Sequence, residues 1–264
     1  MSRLWVIVSL LAFLAFVECT KIEVPENRVF SINDLGNKKV GVIEGTTAES
    51  YASEFGGDSN KIQIEKFPSL AETVEALLEG KIDAVLTDDA PAKVFARQNA
   101  SLRILNEVFK EESYAGVVAK ENWSLLDSVN VALIQMRAMG IYDSIFNSYV
   151  GGNGKFHIKS DSAKGNVLKV ATNAEFPPFE FRSDKKGVVG IDIEIARYVA
   201  NFLGRSLEII DMDFDDIIDF VRAGKADMGL AAFSVTEERS QIISFTENYA
   251  TSKVVVLVRT SEGK

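Results

Sequence analysis

Asp219–Ala232, DFVRAGKADMGLAA, reads as the end of an amphipathic helix, a glycine stop and a short apolar strand. Glu75–Asp88, EALLEGKIDAVLTD, superposes on it without a gap and shares Gly-Lys-x-Asp at an offset of 144 residues. Glycine ends helices because it enters the left-handed conformation freely, and a neighbouring lysine complements the negative end of the helix dipole. Helix-Gly-Lys-strand connections are common for that reason, yet the length of the match indicates two halves built alike.

Working outward, Lys38–Ile43 (KKVGVI) reads as a strand and Gly45-Thr46-Thr47 as a turn into a helix starting near Ala48. Leu70–Glu79 is a helix stopped by Gly80, and Ile82–Leu86 a strand running into Thr87-Asp88-Asp89. The later half repeats the grammar. Leu168–Thr172, Leu207–Ile210 and Ala226–Ala231 read as strands, with Ile191–Leu203 and Asp215–Ala223 as helices. Short β-branched runs alternating with amphipathic stretches predict an α/β fold, each half a mainly parallel sheet flanked by helices. Leu125–Val150 gives two helical patterns broken near Gly140, and Gly151–Asn166 (GGNGKFHIKSDSAKGN) reads as a linker.

The 264 residues, 47% apolar and 25% charged, suffice for two lobes. A formal charge of -9 argues against nucleic acid, whose phosphates need a cationic face. Residues 1–19 read as a signal peptide: Arg3 precedes the apolar run Leu4–Val17, which is short for a bilayer span. Export is expected, to the periplasm or the outer face of a bacterial membrane. Cys19, the single cysteine, excludes an internal disulfide. It sits where a lipoprotein signal carries its acylated cysteine, although Glu18 fits that signal badly, so lipidation and an incidental cysteine both stay open.

Phosphate-loop, zinc-protease, serine-elbow and dinucleotide fingerprints are absent from the sequence. The single histidine, His157, falls in the linker and reads as a solvated side chain. No metal site, no cofactor and no enzyme activity is expected. Attention therefore falls on strand ends, where open α/β sheets bind ligands. Ala231–Arg239 (AAFSVTEER) runs from a strand end through hydroxyl residues into a helix start with an arginine, a carboxylate receptor in which free N–H groups and a bidentate guanidinium converge. Gly45-Thr46-Thr47 offers a second turn with free amides, and Asp88 a carboxylate suited to an ammonium group. Phe176, Phe179 and Phe214 lie just after strands, where a pair of rings can flank a ligand side chain.

ATNAEFPPFEF (171–181), GVVGIDIEIA (187–196) and the run from Asp213 to Tyr249 resemble the first lobe of bacterial extracellular solute-binding proteins that serve ABC transporters for polar amino acids. KKVGVIEGTTAESYA with GKIDAVLTDDAPA resembles the second lobe, and NVALIQMRAMGIYDSIFNSYVGG the family's C-terminal helix. The resemblance implies a two-lobed periplasmic-binding-protein-like (venus flytrap) fold, here circularly permuted because the second lobe comes first. The implied division is 1–19 signal peptide, 30–118 second lobe, 119–150 C-terminal helical segment packing on the first lobe, 151–166 linker and 167–264 first lobe. The new ends are expected at one inter-lobe crossing, after Val258 and before Phe30, which leaves one covalent crossing near Glu112–Ala119 and the N-terminal tether beside the hinge.

By the same resemblance, Arg239 clamps the α-carboxylate with Ser234 and the Thr47 amide, within the Gly45-Thr46-Thr47 turn. Asp88 and the Ala232 carbonyl hold the α-ammonium. Phe176 and Phe214 sandwich the ligand side chain, with Asn173 near its tip, while Thr236 caps its helix. Glu44, Glu175 and Asn173 point to a basic amino acid, although Ala231 and Ala232 depart from the serines of some basic amino-acid binders. The implied function is capture of a free amino acid by lobe closure and delivery to an ABC transporter permease, by a monomer touching membrane only through an anchor at Cys19. Three alternatives stand beside it: a sensing module, a cyclohexadienyl-dehydratase-like enzyme using Glu175 or Glu44 as acid, and a fragment of a tandem gene whose lobes swap between chains.

Overall fold

A computed structural model describes residues 29–57, 60–150, 156–159 and 166–260. The expected signal peptide 1–19, with Cys19, and most of the expected linker lie outside the described residues. A 3-10 turn (Ile32–Leu35) leads into β1 (Lys39–Ile43), α1 (Thr47–Glu54), β2 (Gln63–Phe67), α2 (Leu70–Leu78), β3 (Ala84–Asp88), α3 (Asp89–Gln98) and β4 (Leu102–Tyr114). There follow β5 (Val117–Val118), α4 (Trp123–Ala138), α5 (Ile141–Val150), β6 (Val167–Thr172), β7 (Glu175–Phe176), β8 (Glu180–Ser183), β9 (Gly187–Val189) and α6 (Ile191–Phe202). The chain ends with β10 (Ser206–Asp211), α7 (Phe214–Arg222), β11 (Met228–Gly229), α8 (Glu237–Ile242), β12 (Ser244–Phe245) and β13 (Ala250–Arg259).

Two five-stranded sheets form, in the orders β2-β1-β3-β13-β4 and β10-β6-β11-β5-β12, with a small antiparallel β7-β8-β9 sheet beside them. In each large sheet the first three strands in these orders are parallel, the fourth runs antiparallel to them, and the fifth is antiparallel to the fourth. Burial on both faces explains the near-continuous apolar runs of these strands. Val40, Val42, Leu86, Val254 and Val256 pack on one face of the first sheet, and Val85 and Leu257 on the other. The second sheet divides likewise, with Leu168 and Val170 against α4, α5 and α6, and Ala171 against Ile217 and Val221 of α7. We call the units carrying the first and second sheets the N-lobe and C-lobe.

The expected boundaries need correction at β13. Residues 250–259 form the fourth strand of the N-lobe sheet, so 167–264 is not one unit, and β5 belongs to the C-lobe. The chain consequently crosses between lobes twice, at Tyr114–Val117 and at Phe245–Ala250. The crossings bond to each other: Thr246 N donates to Gly116 O (2.9 Å), Gly116 N to Thr246 Oγ1 (2.9 Å) and Tyr249 N to Tyr114 O (2.8 Å). The expectation of a single crossing, with the tether beside it, is overturned. Arg259 pairs in register with Leu102, and Arg103 Nη2 donates to Val29 O at 3.0 Å, so residues 29 and 259 sit at the end of β13 remote from the crossings.

Candidate functional site

The carboxyl ends of the parallel strands in both sheets face one cleft, the position where open α/β sheets present ligand-binding groups. It encloses about 430 Å³ of empty space, part of it open to solvent, and is lined by both lobes. Ile43, Thr46, Thr47 and Asp88 come from the N-lobe. Asn173, Phe176, Glu180, Phe214, Ala231, Ala232, Ser234 and Arg239 come from the C-lobe. Gly45 is absent from the lining, but its carbonyl accepts a hydrogen bond from Arg239 Nη2 at 3.0 Å.

Arg239 stands in the short helix α8, whose N-cap Thr236 accepts a hydrogen bond from Arg239 N at 3.1 Å. Its guanidinium also donates through Nη1 to Ser234 O at 3.0 Å and lies 5.6 and 5.7 Å from the ring centres of Phe214 and Phe233. Burial holds its pKa below the usual arginine value. Among the described residues no carboxylate comes within 4.0 Å of it. A guanidinium with donors to spare, held over aromatic faces and aimed across the cleft, is suited to receive a planar anion from outside the chain.

The lobes already touch at this edge. A methyl group on Gly45 would lie 1.6 Å from Asp215 Oδ1 of α7, and Gly45 has φ +73°, so only glycine permits the approach. Ser234 donates to Glu112 Oε2 at 2.7 Å, while Thr47 Oγ1 lies 3.5 Å from Ser234 Oγ. Tyr51 of α1 donates to the other Glu112 oxygen at 2.7 Å. Ser234, expected to help hold a carboxylate, thus spends its hydroxyl hydrogen on Glu112.

Asp88 ends β3 and accepts a hydrogen bond from Ser252 Oγ at 2.7 Å. Burial, reinforced by the negative charge of Glu112, pushes its carboxyl up to about 7. An acid so placed gains from meeting a cation. Asn173 donates through Nδ2 to Met212 O at 3.0 Å, which ties the ends of β6 and β10 and leaves its amide oxygen free of that bond. Phe176 packs against clusters of both lobes and stacks on Phe179 (6.2 Å between ring centres), while Phe214 stacks on Phe233 (4.9 Å).

Glu44 and Glu175, expected near the ligand side chain, do not line the cleft. Glu175 is exposed, and Glu44 is mostly exposed, 3.5 Å from Lys66. The glutamate that does line it, together with Asp88, is Glu180, which is buried. Burial and the neighbouring Asp192 raise the Glu180 carboxyl well above the usual carboxylate range. Ile43 and Glu180 were missed by sequence reasoning. FPPFEF hints at Glu180 only through strand alternation, which puts it on the face opposite Phe181. His157 is exposed, as expected of a linker side chain, but its Nδ1 also lies 2.9 Å from buried Glu194 Oε1, and Ile158 N donates to Glu194 Oε2 at 2.8 Å. Residues 156–159 of the linker thus dock on α6. Among the described residues no acid, histidine or cysteine cluster could hold a metal, and no helix is long and apolar enough to cross a membrane.

Residues 168–264 match the profile of the bacterial extracellular solute-binding proteins, family 3. The arginine-binding extracellular protein ArtP of Bacillus subtilis (strain 168) is 29% identical over 104 residues, 39% of this chain and 40% of that protein. A probable histidine-binding protein of Neisseria gonorrhoeae is 32% identical over 111 residues, 42% of this chain and 41% of that protein. The chain thus spans about two fifths of the length of these curated relatives. Among solved structures, the arginine-bound form of domain 1 from TmArgBP is 31% identical, covers 36% of this chain and 82% of that one, and has a TM-score of 0.31.

Proposed function

We propose that this chain, whose residues 168–264 carry the extracellular solute-binding family match, captures a free polar amino acid by lobe closure and presents it to an ABC transporter permease outside the cytoplasm. The observation that carries the reading is one cleft lined by a cation and an acid from opposite lobes, Arg239 and Asp88. An α-carboxylate on Arg239 and an α-ammonium on Asp88 and the Ala232 carbonyl satisfy both groups only when the lobes are together. Binding therefore favours closure without chemistry on the ligand. Phe176 and Phe214 flank the ligand side chain, Asn173 lies near its tip, and Ser234, Thr46, Thr47 and Gly45 frame the carboxylate end. Arginine and histidine head the candidates, as the amino acids bound by the relatives.

The reading includes a lobe order reversed with respect to the family, since the N-lobe strands β1–β4 precede the matched segment. It also includes export through residues 1–19, with Cys19 as the point of any lipid anchor, and a monomer as the working form. Light scattering tests the last: a dimer favours lobes swapped between chains.

A thermal-shift screen of the full chain against the common amino acids tests the function itself. A true ligand at a thousandfold excess over its Kd stabilises by about 4 kcal/mol. No shift with any amino acid rejects the reading. Arogenate and prephenate belong in the same screen, because Glu180 lines the cleft and burial raises its carboxyl, the direction a dehydratase acid needs. Turnover of either would replace capture with catalysis.

A further inference from the structure

Beside the cleft stands a fully buried carboxylate that touches none of the space a ligand would fill. Asp192 lies in the first turn of α6 with no exposed surface. Its Oδ2 accepts hydrogen bonds from Ala232 N at 2.9 Å and from Tyr249 Oη at 2.7 Å. Those two donors belong to the two parts of the molecule that matter for capture.

Ala232 lines the cleft and has φ +48°, a left-handed conformation that a residue with a Cβ adopts at a cost of roughly 1 kcal/mol. The bond from its N–H to Asp192 fixes the peptide between Ala231 and Ala232, from which the left-handed backbone of Ala232 sets off its own carbonyl. Tyr249 is the last residue before β13, in the second crossing, and its own N–H donates to Tyr114 O in the first. The segment after Ala232 is laced to that first crossing as well: Ala115 N donates to Phe233 O at 3.0 Å and Val235 N to Ser113 O at 2.9 Å. The rings of Tyr114 and Tyr249 lie 6.5 Å apart, and Tyr114 meets Phe179 edge-on at 5.1 Å.

We propose that Asp192 is a positioning residue that holds the strained Ala232 peptide toward the cleft and ties it to the Tyr249 crossing, so that the ligand-facing segment and the hinge move as one unit. The ligand-facing half of this statement rests on the proposed function; the tie to the crossing does not. Burying a carboxylate is costly; only Oδ2 of Asp192 is filled, by two donors that sit where geometry has to be kept, while Oδ1 is buried without a hydrogen-bond partner. A helix N-terminal acid serving only the dipole would remain at the surface. Glu180, which lines the cleft and is itself buried, stands next to Asp192 and completes a buried path from cleft to crossing.

Three variants of the full chain decide the matter: Asp192→Ala, Asp192→Asn and Tyr249→Phe. Three readouts serve them: amide exchange at Ala232, small-angle scattering, and calorimetry with the amino acid identified in the screen. Asp192→Ala is expected to speed Ala232 exchange and weaken binding, each by about tenfold or more, the loss of one buried hydrogen bond to a charged acceptor. Asp192→Asn, whose amide oxygen still accepts both bonds, should restore protection and most of the affinity. Tyr249→Phe should leave Ala232 protected while shifting the radius of gyration toward an open form. A folded Asp192→Ala with wild-type exchange, or Asn no better than Ala, overturns the positioning role. Unchanged scattering in Tyr249→Phe overturns the tie to the crossing, even if Asp192→Ala fails to fold. A wild-type chain that binds no amino acid sinks the proposed function alone, because exchange and scattering need no ligand.

Discussion

The two lobes are built on one plan and finish it differently. In each sheet the first strand lies between the second and third, the strand arriving from the other lobe pairs with the third, and the departing strand lies outermost: β2-β1-β3-β13-β4 against β10-β6-β11-β5-β12. At the cleft the likeness ends. The N-lobe carries β3 straight to Asp88 and into α3, so it presents a side-chain carboxylate. The C-lobe stops β11 at Gly229 and runs through the left-handed Ala232 to Arg239, so it presents a carbonyl and a guanidinium. Aligning the shared Gly-Lys-x-Asp segments places Asp88 opposite Ala232. Shared architecture brings the strand ends together; the unlike endings supply the two signs of charge that a zwitterion needs.

The sharpest way to break the comparison is to remove the C-lobe cation. Arg239→Ala is expected to weaken binding of the captured amino acid by about 2 to 5 kcal/mol, since a buried carboxylate is left unpaired. Arg239→Lys keeps the charge but loses the fork that reaches Ser234 O and Gly45 O together, and should recover only part of the loss. Calorimetry that returns wild-type affinity for Arg239→Ala would take the guanidinium out of the site.

Removing the N-lobe acid gives a smaller effect, and one that depends on pH. Asp88 titrates at about 7 in the folded, unliganded chain against 3.8 for an ordinary aspartate. The folded state therefore binds the proton more strongly than the unfolded state. Stability of the unliganded chain should fall as pH rises from about 4 to about 7 and level off above that. An ammonium ligand prefers the ionised carboxyl, so binding below about 7 expels a proton and affinity climbs with pH, by up to about tenfold per unit. Calorimetry in buffers of different ionisation heat reads the released proton. Asp88→Asn should bind weakly and lose this slope. Asp192, pushed up to about 6 by burial, accounts for any remainder. An unaltered slope in Asp88→Asn would move ammonium recognition elsewhere.

Strand ends were legible in the sequence because the signals are local. An apolar run, a turn residue and a helix period place Asp88, Gly45 and Arg239 at strand-to-helix turns without knowledge of the partner strand. The membership of β13 was not legible in that way. VVVLV announces a buried strand but says nothing of which sheet, since pairing with β3 and β4 joins residues far apart in the chain. That one strand converts a single crossing into two and puts residues 29 and 259 away from the hinge. Glu112 was hidden for a related reason. In FKEESY it reads as one of several solvated charges, and only the two-residue alternation of β4, which puts it on the side of Tyr114, brings it to Ser234 and Tyr51. Asp192, in GIDIEIA, reads as a helix-start acid at the surface. It is buried where Tyr249 of the second crossing and Ala232 meet the start of α6, contacts between segments that no local pattern records.

The smallest expected effect tests the shared plan itself. Gly80 and Gly224 follow α2 and α7 with φ +74° and +68°. In both, the glycine N–H turns back to the helix (Leu77 O at 3.1 Å, Val221 O at 3.0 Å), as does the next lysine's (Ala76 O at 3.0 Å, Phe220 O at 3.1 Å). Both aspartates of the motif then accept from the first strand of their sheet, Asp83 from Lys39 N at 2.9 Å and Asp227 from Lys169 N at 2.8 Å. The repeat is thus a folding device, a left-handed helix stop followed by a clamp on the neighbouring strand. A methyl at Gly224 would meet no atom within 4 Å, so alanine there costs only backbone strain. Gly80→Ala and Gly224→Ala should each destabilise by roughly 1 kcal/mol, lowering Tm by about 2 to 4 °C, with ligand affinity unchanged. Scanning calorimetry and a binding isotherm on each variant separate the two quantities. If Gly224→Ala instead weakens binding while Gly80→Ala does not, the C-lobe copy also sets the strand that ends at Ala232, and the likeness of the lobes is architectural only up to the last turn before the cleft.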